Sequence, residues 1–289
     1  MEIGIGIPNT VPGTTGDQLL AWARAAEARG FSCLASIGAV EYPGYEELTV
    51  FAAAAAVTER IRFVSNVLIA PPRSTAELAK QAATVDQLSG GRLTLGLGVG
   101  WRASDFSLTG RDFSSRGAVF ETQLADLVRA WAGEPLAAGT RPVSPSPVQR
   151  PIPLLIGGMS ESTPTRVARH GIGWTAGGLP PDVVAGQAEK VQAAWREAGR
   201  DGRARIVALA YFGLGDTEEA SRSAILDYYA PMGPEVATMI ADGVLRSPEA
   251  VRGAVEAFRT AGVDELVLDP TVGDPAQVQL LAEVVSPGR

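Results

Sequence analysis

The chain has 289 residues, with one Cys, one His, 25 Lys and Arg against 32 Asp and Glu, a net charge of −7, and 46% hydrophobic but only 6% aromatic residues. One cysteine excludes an internal disulfide framework, and one His with one Cys leaves almost nothing from which to build a zinc site. The negative balance without a Lys/Arg stripe argues against a nucleic-acid groove. The chain opens without a basic-then-apolar leader and has no apolar run of about 18 residues, so a cytoplasmic protein with a small-molecule partner and no membrane partner is expected.

Residues 2–7 read as a first strand, followed by Pro8 and Asn9 where a dinucleotide-binding sheet would carry a glycine-rich phosphate loop. Residues 17–29 read as a helix with Leu19, Leu20, Ala23 and Ala26 on one face and Gly30 as its stop. Strand and helix then alternate: strand 31–36, helix 46–59, strand 61–69, helix 75–88, strand 93–99 and helix 115–131. Residues 133–150, rich in Pro, Gly and Ser, read as a loop on the catalytic face. The remaining strands are 152–156, 173–176, 204–213 and 265–268. The helices between and after them are 162–170, 182–198, 217–229 with a second piece to 245, 248–261 and 275–284. Eight alternations predict a closed (β/α)8 TIM barrel, typically about 250 residues long, as one α/β domain over residues 1–289.

In such a barrel the chemistry lies at the C-terminal strand ends. Here those ends carry Pro8, Ser36, Ser65, Asn66, Val67, Gly98, Gly100, Trp101, Gly157, Gly158, Gly177, Gly178, Tyr211 and Asp269, with few ionisable groups. That favours a mouth for a large flat ligand approached closely by backbone. In the segment Gly157-Gly158-Met159-Ser160-Glu161-Ser162-Thr163-Pro164, a strand runs into glycines and a helix start. Two readings stay open: a phosphate cup of backbone N–H groups and hydroxyls, or a helix merely capped by Ser162 or Thr163. Trp101 can stack on a ring, and Arg102 can pair with an anion, although a surface pair with Asp105 is the simpler expectation. His170, late in its helix, is a poor catalytic candidate, and Cys33 reads as core. Glu41 and Tyr42, on the loop after the second strand, are the candidate acid–base residues; a solvated loop explains them equally.

The residues from Ala52 to Gly98 include Ala-Ala-Ala-Val-Thr-Glu-Arg-Ile-Arg and Leu-Ser-Gly-Gly-Arg-Leu-Thr-Leu-Gly-Leu-Gly. With Val99 to Phe106, Leu154 to Gly158 and Ala261 to Leu268, this pattern resembles the bacterial-luciferase-like superfamily of flavin- or F420-dependent oxidoreductases over essentially the whole chain. The resemblance implies a TIM barrel whose strand ends hold reduced FMN or the deazaflavin F420. It also implies a phosphate near Gly158, Met159, Ser160 and Thr163, and a non-prolyl cis peptide at Asn66-Val67. Relatives often carry a His in the loop after strand two, where this chain has Ser36-Ile37-Gly38-Ala39. The expected function is therefore a flavin-dependent oxidoreductase, a monooxygenase that uses reduced FMN and O2 on a small organic substrate. The alternatives are F420-dependent hydride transfer and a non-catalytic flavin-binding barrel. A homodimer, a separate flavin or F420 reductase as partner, and no metal are also expected. Substrate choice is assigned to residues 38–45, 133–150 and 228–245.

Overall fold

The computed structural model describes residues 1–287; the last two residues of the expected domain lie outside the described ones. The strands are β1 (Glu2–Gly6), β2 (Cys33–Ser36), β3 (Arg62–Ser65), β4 (Leu68–Ile69), β5 (Leu93–Gly98), β6 (Leu154–Gly157), β7 (Gly173–Thr175), β8 (Arg205–Phe212) and β9 (Glu265–Pro270). All pair in parallel, in the order β3-β2-β1-β9-β8-β7-β6-β5-β4, and β3 also pairs with β5 through Phe63 with Leu93 and Val64 with Thr94. That pairing closes the sheet. Because β3 and β4 are two halves of one barrel strand, the result is the eight-stranded (β/α)8 barrel expected. The break falls at Asn66-Val67, whose peptide bond is cis.

Among the described residues the helices are α1 (Gly16–Arg29), α2 (Glu47–Ala55), α3 (Thr75–Ser89), α4 (Ala103–Thr109), α5 (Arg116–Trp131), α6 (Thr163–His170), α7 (Pro181–Glu197), α8 (Glu218–Tyr229), α9 (Pro234–Asp242), α10 (Pro248–Thr260) and α11 (Ala276–Val285). Local chemistry marks their ends. Thr15 and Gln18 form a reciprocal capping box at the start of α1, and Gly30 ends it in the left-handed conformation, φ 81°. Ser74 accepts from the Glu77 N–H to start α3, and Gly90 at φ 66° ends it. The apolar faces of these helices bury Trp22, Phe51, Leu78 and Phe120 against the outside of the barrel. None of the helices is long and apolar enough to cross a membrane.

The structure corrects the expected layout in two places. Residues 103–109, for which no helix is expected, form α4 between β5 and α5. Residues 133–150 do not lie on the catalytic face. They connect a helix to a strand, and in a βα barrel such connections run across the N-terminal end of the strands. Their contacts agree: Gln149 donates to Asp86 near the end of α3 and to the Leu93 carbonyl at the start of β5, and Gln87 donates to the Ser146 carbonyl. This loop therefore takes no part in substrate choice.

At that same end a charge cluster ties the strand starts together. Glu265, at the first position of β9 and 0% exposed, accepts from Arg62 Nη2 at 3.2 Å and Arg205 Nη2 at 2.6 Å. Both arginines also reach Glu2, at 2.7 and 3.1 Å.

Candidate cofactor cavity at the strand ends

A cavity of about 290 Å³ opens at the C-terminal ends of the strands. Its floor is backbone and small side chains: Asn66, Val67, Gly98, Gly157, Gly158 and Gly177. Gly98 and Gly157 are required by close approach. A Cβ on Gly98 would stand 2.7 Å from Val67 Cγ2, and one on Gly157 would stand 2.8 Å from Val67 Cγ1. Asn66 is 4% exposed; its Oδ1 accepts from the Thr175 hydroxyl, while its Nδ2 has no partner within the protein. A buried amide donor left open at a cavity floor is an unspent hydrogen bond, since such groups are almost always paired.

The other wall is aromatic. Trp101 and Tyr229 stack with centroids 6.2 Å apart and planes 11° apart, and Tyr229 meets Tyr228 and Tyr211 edge to face. The Tyr211 and Tyr229 hydroxyls are 2.7 Å apart. Burial raises the pKa of all three phenols, that of Tyr229 to about 12, so they stay protonated near neutral pH. Asp269, at the end of β9 and 2% exposed, lies behind Tyr211 and Tyr228, and desolvation pushes its pKa well above the usual carboxylate value.

Arg102 sits behind this wall and does not form the expected surface pair with Asp105. It is 4% exposed, donates to the Tyr228 carbonyl at 2.8 Å, and its guanidinium lies 4.6 Å from the Trp101 ring centre and 5.1 Å from that of Tyr228. Asp105 accepts instead from the Val40 and Glu41 N–H groups, at 2.9 and 2.8 Å. The reason is α4, whose first turn carries Asp105 to the loop after β2.

Of the residues expected at the site, Asn66, Val67, Gly98, Gly100, Trp101, Gly157, Gly158, Gly177 and Gly178 border the cavity. Pro8, Ser36, Ser65, Met159, Ser160 and Thr163 do not. Ser65 is spent on a bond to the Gly96 carbonyl at 2.8 Å, whereas the Ser36 hydroxyl is buried without a partner. Ser160 stands at the rim beyond Gly158, its Oγ 3.0 Å from both Ser162 Oγ and Thr163 Oγ1. Neither Ser162 nor Thr163 caps α6 with its side chain, so these hydroxyls form a cluster of their own. Met159 is exposed beside them.

Neither candidate acid–base residue borders the cavity. Glu41 points outward and accepts from Ser104 at 3.2 Å. Tyr42 packs edge-on behind Tyr228, centroids 4.8 Å apart, and donates to Asp227 at 2.7 Å. Burial and that carboxylate raise the Tyr42 pKa far above neutrality. His170 lies in the last turn of α6, 3.4 Å from Glu121, away from the cavity. Cys33 is buried in the core. Ile37 and Leu209 also border the cavity without a signal in the sequence, while Tyr211 is one of the strand-end residues and Tyr228 and Tyr229 open the segment 228–245 expected to govern substrate choice. Tyr228 and Tyr229 come from the last turn of α8, which sets them beside Trp101.

The cavity fits a planar tricyclic ring: a glycine floor, stacked aromatics and one open amide donor suit its flat face and polar edge. The Ser160, Ser162 and Thr163 hydroxyls beside the N-terminus of α6 suit an anionic tail. Among the described residues, no group of three or more His, Cys, Asp or Glu is placed to hold a metal.

An uncharacterised protein of Mycobacterium tuberculosis is 35% identical over 166 residues, which span 54% of this chain and 58% of the relative. The FMNH2-dependent dimethylsulfone monooxygenase of Pseudomonas putida is 27% identical over 66% of this chain and 55% of its own length. The matched region thus covers little more than half of either relative. Among solved structures, the monooxygenase RslO1 of Streptomyces bottropensis superposes with a TM-score of 0.79 at 23% identity, covering 99% of both chains. An F420-dependent secondary alcohol dehydrogenase superposes with a TM-score of 0.81 at 16% identity, over 100% of this chain and 99% of the other, a likeness of fold. The profile of the luciferase-like monooxygenases matches residues 1–288. The chain belongs to the luciferase-like monooxygenase family.

Proposed function

We propose that the chain is a flavin-dependent oxidoreductase that holds reduced FMN in the strand-end cavity and uses O2 to oxidise a small organic substrate. The observation that carries this reading is the cavity itself: a glycine floor on Val67, an open Asn66 donor and an aromatic wall, with a hydroxyl cluster at one rim. Bound reduced flavin would supply two electrons, so that one oxygen atom of O2 enters the substrate and the other leaves as water. A separate flavin reductase would restore the reduced cofactor.

The residues of the chain have defined tasks in this reading. Gly98, Gly157 and Gly158 let the ring lie against backbone, and Asn66 Nδ2 donates to its polar edge. Trp101 and the tyrosines of α8 cover the site and exclude water. Ser160 and its neighbouring hydroxyls hold the phosphate. The neutral Tyr211, Tyr228 and Tyr229 keep formal charge off this wall of the cavity, which favours a neutral substrate beside the cofactor.

The test is admission of air to the anaerobic complex with reduced FMN while O2 is followed with an electrode. Uptake of O2 in proportion to bound flavin, at a rate distinct from that of free reduced FMN, which consumes O2 unaided, is the expected result. A complex that forms with reduced F420 and is stable in air would replace this reading with hydride transfer.

A further inference from the structure

A second cavity, of about 210 Å³, adjoins the first at Gly38, which borders both. Glu46, Glu47 and Arg73 line it, together with Tyr42 and Tyr45. Glu47 is the first residue of α2, and its side chain is only 3% exposed. Arg73 donates through Nη2 to Glu47 Oε2 and through Nη1 to Glu46 Oε1, both at 2.9 Å. Each member of the inner pair keeps one buried polar atom without a partner, Oε1 of Glu47 and Nε of Arg73. Arginine and carboxylate frequently close both prongs of their fork. Here the second prong is open because Oε1 is turned onto Gly38. A Cβ at residue 38 would stand 1.6 Å from that oxygen, so the carboxyl fills the place a side chain on the neighbouring loop would take.

Desolvation outweighs the attraction of Arg73 and raises the Glu47 pKa to about 7. The carboxyl is thus divided between its two forms at neutral pH. The charged and titratable groups that face it are Arg73 from the segment before α3, Glu46 beside it and Tyr228 from α8, with Tyr42 and Tyr45 on the cavity wall.

We propose that this smaller cavity is the polar subsite of the substrate, and that it takes a neutral carbonyl group whose oxygen accepts from the protonated Glu47 Oε1 and from Arg73 Nε. Both open atoms are donors in that state, which selects an acceptor. With Glu47 protonated, the Glu46 carboxylate already balances the Arg73 guanidinium, so an anion gains no net attraction, and an ammonium group would leave Arg73 Nε unpaired. The role as a substrate subsite rests on the flavin reading of the first cavity; the binding itself does not.

The probes are acetophenone and benzoate, which share a ring and differ in the oxygen group. Each is titrated into the ¹⁵N-labelled wild-type protein at about pH 6 and about pH 8.5, with the Gly38 amide and the Arg73 Nε–H as reporters. Acetophenone is expected to shift both signals and to bind at least roughly tenfold more weakly at the higher pH, where Glu47 has lost its proton. Benzoate is expected to bind at least roughly tenfold more weakly than acetophenone at about pH 6. Glu47→Gln keeps an N–H donor at every pH, so its acetophenone affinity is expected not to vary with pH. A pH-independent wild-type affinity, an unperturbed Gly38, or benzoate binding as well as acetophenone overturns the proposal. Reduced FMN and F420 are titrated into the same samples. If neither binds while the acetophenone response persists, the flavin reading falls and the carbonyl site stands; the reverse pattern overturns the carbonyl site alone.

Discussion

At the N-terminal end of the barrel, the buried Glu265 accepts from Ser32, Arg62 and Arg205, and the two arginines share Glu2 as well. At the C-terminal end, Asn9 Oδ1, Ser36 Oγ, Glu47 Oε1, Asn66 Nδ2 and Asp269 Oδ1 are buried without partners in the protein. One end spends its polar groups on holding strands together, and the other holds them in reserve. Unpaired buried groups cost stability, so their concentration where a barrel binds its ligands separates a structural face from a binding face.

Substitutions at the two ends should therefore fail in different assays. The largest effect is expected for Glu265→Ala, which leaves Arg62 and Arg205 without their shared buried partner. Urea denaturation should show a loss of about 4 kcal/mol, with affinity for reduced flavin unchanged. A loss below about 1 kcal/mol would make the cluster dispensable and dissolve the contrast. Next is Gly98→Ala, whose new methyl group pushes Val67 into the cavity. Reduced FMN should bind roughly a hundredfold more weakly, about 2.7 kcal/mol by anaerobic titration. Asn66→Asp keeps the acceptor for Thr175 and deletes the open donor; a roughly tenfold loss of flavin affinity, about 1.4 kcal/mol, is expected.

The smallest effect is a slope. Desolvation raises the pKa of Asp269 in the folded protein, whereas the unfolded chain releases the proton near pH 4. Its contribution to stability is complete below that value and is lost as pH rises toward the folded pKa. Asp269→Asn does not titrate, so its melting temperature relative to wild type should climb as the pH rises above about 4. A flat difference would show that Asp269 is ionised.

The barrel was legible because its signals are local. Gly30 and the Ser-Gly-Gly turn at residues 89–91 stop helices, β-branched runs mark strands, and the alternation repeats often enough to name the fold. The glycine floor was legible for the same reason, since strand ends can be counted. The pairing of distant elements was not. Tyr228 and Tyr229 belong to a helix that folds over the mouth, and only the tertiary structure sets them beside Trp101. Arg102 and Asp105 are close in sequence, yet each is drawn to a different partner by burial. Glu47 reads as an ordinary acidic residue in the first turn of a helix; its burial against Gly38 depends on a loop nine residues earlier. The loop at 133–150 was misplaced because composition shows a loop and only the order of elements shows which end it crosses.

The claim that most needs testing is that the glycine-lined cavity binds a flavin-type ring. The direct measurement is an anaerobic titration of the purified chain with reduced FMN and reduced F420, each also against Gly98→Ala. The account predicts a micromolar complex with reduced FMN in the wild type, about −8 kcal/mol, that is weakened by the added methyl group. If neither cofactor binds more tightly than about 100 μM, roughly −5.5 kcal/mol, the assignment of the cavity is contradicted.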